Sequence, residues 1–212
     1  MLVSDSHEFI FVRVRKTASR SMRSQLEPYL LPRPANPLAR IKSRAMLEKD
    51  YRKFRFRAHD KITTARKVMP PERFRRYFKF AIVRNPWSRL VSEYEFILRT
   101  PGHGRHRKVR KLGSFAAFVK MQIPRKDAYQ ASQLCDAEGR LLMDYVGRLG
   151  TLQQDWQAIC ERVAIPCSEL PMINVGNNRS YVEYYSAELR DLVARHWSRE
   201  IEMFELEFES GP

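Results

Sequence analysis

The sequence predicts a three-layer α/β domain with a mainly parallel central sheet flanked by helices. Two apolar runs rich in β-branched and aromatic residues, 9–14 and 78–83, each interrupted by one basic residue (Arg13, Lys79), read as buried strands. Each run breaks into a polar turn that leads straight into a segment of helical spacing. Over 212 residues such runs alternate with helical segments and no internal repeat appears, which suits one domain spanning residues 1–212.

Residues 9–14 are the first strand expected, followed by the small polar turn 15–21. A helix from Met22 to about Glu27 is closed by Pro28 and Pro32, and 32–37 is a proline-rich connector. Residues 38–57 read as a basic helix. Helices follow at 63–68, stopped by Pro70 and Pro71, and at 72–77. After the strand 78–83, Asn85 suits an N-cap and Pro86 a first helical turn; Leu90, Val91, Tyr94 and Ile97 then recur at helical spacing to about Leu98. The basic, glycine-bearing stretch 100–112 reads as a surface loop. Further helices are expected at 114–121, 151–163 and 187–203, with short strands at 143–147 and 170–175.

The formal net charge is +15, and the excess is uneven. Between Arg33 and Lys79 stand sixteen Lys and Arg against four Asp and Glu; from Phe96 to Lys126 there are nine basic residues and no acidic one. Such a surplus points to a polyanionic partner: nucleic acid, an anionic surface, an acidic sugar or a phosphate-bearing cofactor. Cys135, Cys160 and Cys167 form no C-x-x-C pair and no His cluster supports a metal, so structural thiols in a reducing compartment are expected, with a Cys160–Cys167 disulfide left open. No apolar run approaches the roughly 18–20 residues of a membrane span, and residues 1–8 lack a basic-then-apolar leader pattern. The expectation is a soluble, cytoplasmic chain of open oligomeric state.

Two strand–turn–helix junctions carry the chemistry. The first is Arg15-Lys16-Thr17-Ala18-Ser19-Arg20-Ser21, where backbone N–H groups and a helix N-terminus favour an anion and Lys16 adds a full charge. Thr17, Ser19 and Ser21 add hydroxyls. Here Lys comes first and glycine is absent, unlike G-x-x-x-x-G-K-[ST], which counts against a nucleotide-triphosphate kinase. The second junction runs from the strand through Arg84-Asn85-Pro86 to Arg89 and Ser92. Arg84 at a strand end offers a planar, permanently charged fork for a phosphate, and Ser92 lies two turns into the helix.

The first junction resembles the P-K-T-[GA]-[GS]-[TS]-S loop of sulfotransferases, with Arg15 and Arg20 as departures, and its K-T-A-S run is similar to the uronosyl 2-O-sulfotransferase version. The second resembles that family's R-[ND]-P and R-x-x-S motif. The stretch 145–156 is similar to its V-G-R-x-E-x-L-x-x-D-[FW] segment, with Gly150 where Glu is usual, and 174–208 resembles its closing segment. The chain is thereby identified as similar to bacterial members of sulfotransferase family 2. The resemblance implies a P-loop-like fold and a donor, 3′-phosphoadenosine 5′-phosphosulfate (PAPS), with 3′,5′-ADP as product. It implies that Lys16, Thr17, Ala18, Ser19, Arg20 and Ser21 hold the 5′-phosphosulfate, that Arg84 and Ser92 hold the 3′-phosphate, and that Arg179 reaches the donor phosphates. The basic segments 33–57 and 101–125 would shape acceptor choice.

A hydroxyl acceptor needs a general base, and among five histidines His59 matches the one the family carries upstream of its 3′-phosphate strand. Glu93 is the alternative. Lys16 and His59 are thus the expected catalytic pair, with no metal, and the basic segments favour a carbohydrate or other anionic glycan. Two other readings stand beside this one. A nucleic-acid-binding protein would use the basic-aromatic run 51–57; a sulfotransferase of this charge would bind nucleic acid only nonspecifically. A P-loop small-molecule kinase would require ATP and magnesium.

Overall fold

The computed structural model describes residues 1–32, 36–170 and 180–208. In chain order the elements are β1 (Leu2–Ser4), β2 (Phe9–Val12), α1 (Ser19–Leu26), α2 (Pro37–Arg44), α3 (Ile62–Val68), α4 (Pro71–Arg76), β3 (Phe78–Val83), α5 (Pro86–Leu98) and α6 (His106–Leu112). They continue with α7 (Phe115–Gln122), α8 (Ala131–Leu134), β4 (Tyr145–Arg148), α9 (Leu152–Arg162), α10 (Ala187–His196) and α11 (Ser198–Met203). The sheet has the order β1-β2-β3-β4: β1 runs antiparallel to β2, while β2, β3 and β4 are parallel. This is the α/β, mostly parallel, helix-flanked P-loop-like architecture expected.

The chain divides into two compact units, Met1–Val83 with Ala131–Ile173, and Arg84–Gln130 with Asn174–Pro212. The first holds the sheet. One sheet face presents Phe9, Phe11, Phe80 and Ile82, and α1 covers it with Met22 and Leu26 while α9 adds Trp156 and Ile159. Every residue of β2 is buried, as a strand covered on both faces requires. Trp156 donates its indole N–H to the Ser168 carbonyl at 2.9 Å, so the largest core side chain also ties down the segment after α9.

Gly147 in β4 has no room for a side chain. A Cβ there would meet Asp155 Cγ and Ile82 Cδ1, each at 2.7 Å. The space is taken by the Asp155 carboxylate, which accepts from Tyr145 Oη at 2.6 Å, the Arg148 amide at 2.8 Å and Thr151 Oγ1 at 2.7 Å. The Gly147 and Asp155 of the V-G-R…D segment therefore form one latch between β4 and α9.

The second unit is helical around α5. Trp87, Leu90, Ile97, Val109, Phe118, Val193 and Trp197 make its core. Tyr184 and Tyr185 donate to Glu95 and to the Trp87 carbonyl, at 2.9 and 3.0 Å, and so staple the closing segment onto α5.

Several expected elements differ. β1 precedes the strand read as first. The helix expected over 38–57 ends at Arg44, because Ser43 turns its hydroxyl to the Ala39 carbonyl at 2.7 Å and accepts the Arg55 amide at 2.8 Å, folding the chain back. Residues 106–112, read as loop, form α6, anchored by buried Val109. The helix expected at 187–203 breaks at Trp197 into α10 and α11, and the short α8 was not foreseen. The strand expected at 170–175 lies almost wholly outside the described residues. All three cysteines are free; Cys160 and Cys167 share a thiol hydrogen bond, and burial above all pushes the Cys160 thiol up to about 12.

Candidate functional site

In the first unit, β2 delivers the chain into a strained turn. Lys16 and Ala18 both adopt left-handed backbone, at φ 66° and φ 52°, which costs a residue with a Cβ about 1–2 kcal/mol. Ala18 is the N-cap of α1, and Ser19 begins the helix. The step from left-handed Ala18 to helical Ser19 turns their N–H groups toward one side, as in an anion-binding nest. No side chain caps α1, as also for α3, α4, α6, α9 and α11, whereas α2, α5, α7 and α10 are capped by Asn36, Asn85, Ser114 and Ser186. The first-turn amides of α1 have no intrahelical acceptor, and an anion satisfies such donors.

The side chains sort themselves. Thr17 is buried and donates its hydroxyl to the Val14 carbonyl at 3.1 Å. Its proton therefore braces the turn, and only its backbone N–H is left for a ligand, against the expectation of a hydroxyl donor. Ser19 and Ser21 are buried, Lys16 and Ala18 half-buried, and Arg20 exposed.

His59 is held against the same strand end. Its Nδ1 lies 2.8 Å from the Arg13 carbonyl oxygen, which only accepts. Nδ1 therefore carries the hydrogen, and the neutral ring keeps its lone pair on Nε2. Burial first, then the positive charges of Arg15 and Arg13, lower the His59 pKa below the ordinary histidine value, although the Arg13 hydrogen bond works the other way. The Gln133 amide donates to the His59 carbonyl at 3.1 Å and fixes the backbone. Asp60 accepts the Arg57 amide at 2.7 Å, so it shapes the local turn.

In the second unit, Arg84 follows β3 and opens the turn into α5. Asn85 accepts the Ser88 amide at 3.2 Å as an N-cap. Arg84 Nε donates to Ser88 Oγ at 2.6 Å, which fixes the plane of the guanidinium. Gln130, which sequence reasoning missed, clamps the Arg84 backbone at both ends: its Oε1 accepts the Arg84 amide at 2.9 Å and its Nε2 donates to the Arg84 carbonyl at 2.8 Å. Nothing in sequence marks a glutamine 46 residues away as a partner. Burial, and then the like charge of Arg89, push the Arg84 pKa down to about 10. A cation so placed is stabilised by an incoming anion. Arg89 is buried and donates to the Ala128 carbonyl, a structural role.

Ser92 lies half-buried two turns into α5. Glu93, the alternative base, is ion-paired to Arg105 and lies 4.0 Å from Arg89, so its carboxylate is committed to α5–α6 packing. Arg179 lies outside the described residues. Tyr51, Phe54 and Phe56 of the basic-aromatic run are buried, so their rings offer no stacking platform for bases. Among the described residues, no group of His, Cys, Asp or Glu is arranged to hold a metal, and no helix is long and apolar enough to cross a membrane.

The class the fold defines is a P-loop-like α/β protein, with a basic turn after β2 in the first unit and a half-buried arginine opening the second. The chain belongs to sulfotransferase family 2: the model described as Sulfotransferase family matches residues 1–207 of the 212. Sulfuryl transfer is therefore its reaction class. No curated protein matches the chain.

Proposed function

We propose that the protein transfers the sulfuryl group of PAPS to a hydroxyl of a carbohydrate acceptor, probed first among acidic glycans. The observation that carries this reading is that one strand end bears both the left-handed Lys16–Ala18 turn and, through the Arg13 carbonyl, an oriented His59. In this reading the 15–21 turn takes the donor's 5′-phosphosulfate through loop amides and Ser21, while Arg84 and Ser92 take its 3′-phosphate, with Arg179 as a further phosphate contact.

PAPS supplies an activated sulfuryl group on a phosphate leaving group. Lys16 neutralises charge that develops on the bridging oxygen. His59 Nε2 accepts the acceptor's proton, and its depressed pKa keeps the ring neutral and ready at neutral pH. In-line transfer then asks of the protein only that both partners be positioned. The donor set fits such a nucleotide: amides, one lysine, one arginine and buried hydroxyls. The segments 33–57 and 101–125 are proposed to shape acceptor choice within a single sulfotransferase domain, and the compartment is proposed to be cytoplasmic.

The test is calorimetric titration with 3′,5′-ADP and with 5′-AMP. Selective binding of 3′,5′-ADP is expected, weakened roughly 10- to 150-fold by Arg84→Ala, the range for one charged hydrogen-bonding partner. His59→Gln should leave that affinity unchanged and abolish turnover. Equal binding of the two nucleotides would sink the reading.

A further inference from the structure

Among the described residues five large hydrophobic side chains stand exposed, and four fall within ten positions: Leu38 (59%), Ile41 (63%), Met46 (40%) and Leu47 (67%). They belong to α2 and the turn after it. The helix is mounted by one face only. Ala39 and Ser43 are buried, and Ser43 bonds to both the Ala39 carbonyl and the Arg55 amide. That anchoring segment is itself fixed, since Phe54 and Phe56 are buried and Tyr51 donates to Asp5 at 2.7 Å.

At roughly 100° per residue, Leu38, Ile41 and Ala45 share a stripe about 60° wide, nearly opposite the Ala39–Ser43 side. Lys42 flanks this stripe on one edge and Arg40 and Arg44 on the other, and from Pro37 to Leu47 there is no carboxylate. Exposed apolar side chains gathered this densely mark an interaction surface. A stripe bordered by cations on both sides suits the plane between lipid headgroups and acyl chains. A second copy of the chain fits poorly, because each copy carries a net charge of +15 and the same cationic border.

We propose that α2 and the turn to Leu47 form a peripheral docking surface for an anionic lipid bilayer, with Leu38, Ile41, Met46 and Leu47 entering the interface and Arg40, Lys42 and Arg44 meeting headgroups. This surface includes none of the residues assigned to the donor; it lies within the segment 33–57 proposed above to shape acceptor choice, and vesicle binding is read without an acceptor present.

The decisive comparison keeps every charge. Wild type and the triple variant Leu38→Ser/Ile41→Ser/Leu47→Ser are sedimented with neutral phosphatidylcholine vesicles and with vesicles of roughly one-third phosphatidylserine. Wild type should bind the anionic vesicles and lose affinity as salt rises. The triple variant should bind them at least about tenfold more weakly at the same salt. Its thermal unfolding and 3′,5′-ADP affinity should match wild type, since all three positions are exposed. A second variant, Arg40→Gln/Lys42→Gln/Arg44→Gln, should flatten the salt dependence. Equal vesicle binding by wild type and the serine variant would overturn the proposal, leaving only the chain's general charge. Failure of wild type to bind anionic vesicles at low salt would also overturn it, and would assign the patch to an acidic protein surface.

Discussion

Gly147→Ala places a methyl group where the structure has no room. The new Cβ would sit 2.7 Å from Ile82 Cδ1, 2.7 Å from Asp155 Cγ and 2.8 Å from Asp155 Cβ, whereas carbon pairs rest near 3.5–4.0 Å. Two relaxations are open. Ile82 can leave its rotamer, at about 0.5–1.5 kcal/mol, but it lies in the fully buried core beside Phe80 and Trp156. Alternatively Asp155 can withdraw, which strains or breaks its bonds to Tyr145, Arg148 and Thr151, each worth about 1 kcal/mol net. Either route falls within the range of about 1–3 kcal/mol for overpacking, and a combination gives about 2–4 kcal/mol. For a chain of this length that corresponds to a fall in Tm of roughly 5–15 °C. The assay is urea and thermal unfolding of wild type, Gly147→Ala, Asp155→Ala and the double variant. Asp155→Ala removes the Cγ contact and the three accepted bonds but leaves the Cβ and Ile82 contacts, so the two losses should fall short of additive by about 1 kcal/mol. A Gly147→Ala variant within about 0.5 kcal/mol of wild type, or strict additivity, would refute the latch.

Two further outcomes follow from the site and the core. The His59 pKa is lowered on folding, so between that value and the unfolded value of about 6.5 the unfolded chain binds more protons; stability should fall as pH drops through 6.5 toward the folded value, and His59→Gln should lose less stability than wild type between pH 7 and 5 in urea titrations. Native alkylation with a maleimide should give one adduct, at exposed Cys167, with buried Cys135 and Cys160 reacting only after denaturation; prompt labelling of all three would contradict the packing of α9.

The parts of this protein legible in sequence are those governed by local chemistry. Phe78–Val83 reads as a buried strand because five of its six residues are apolar, β-branched or aromatic in the main, and Asn85-Pro86 announces the start of α5 because a side-chain cap and a fixed φ act within four residues. The turn at 15–21 was recognisable as an anion site from its residue types, yet its left-handed Lys16 and Ala18 were not, since neither residue advertises that conformation. Contacts made at long range stayed hidden. Gln130 grips Arg84 across 46 positions, and the Arg13 carbonyl orients His59 across another 46. The helix α6 reads as loop in the sequence because its basic run hides the packing of Val109 and the pairing of Arg105 with Glu93. Strand β1 has only three residues, too few to show a period.

The strand order also sets a timetable for synthesis. β1 and β2 can close as an antiparallel hairpin as soon as they emerge, because their partners are neighbours in the chain. β2 must then wait through about 65 residues for β3, and β3 through about 61 for β4. At roughly 5–20 residues per second, each parallel edge stands bare for several seconds on the ribosome. The all-apolar Phe9–Val12 is therefore the stretch of the nascent chain that most needs shielding, and the early hairpin covers only one of its two edges.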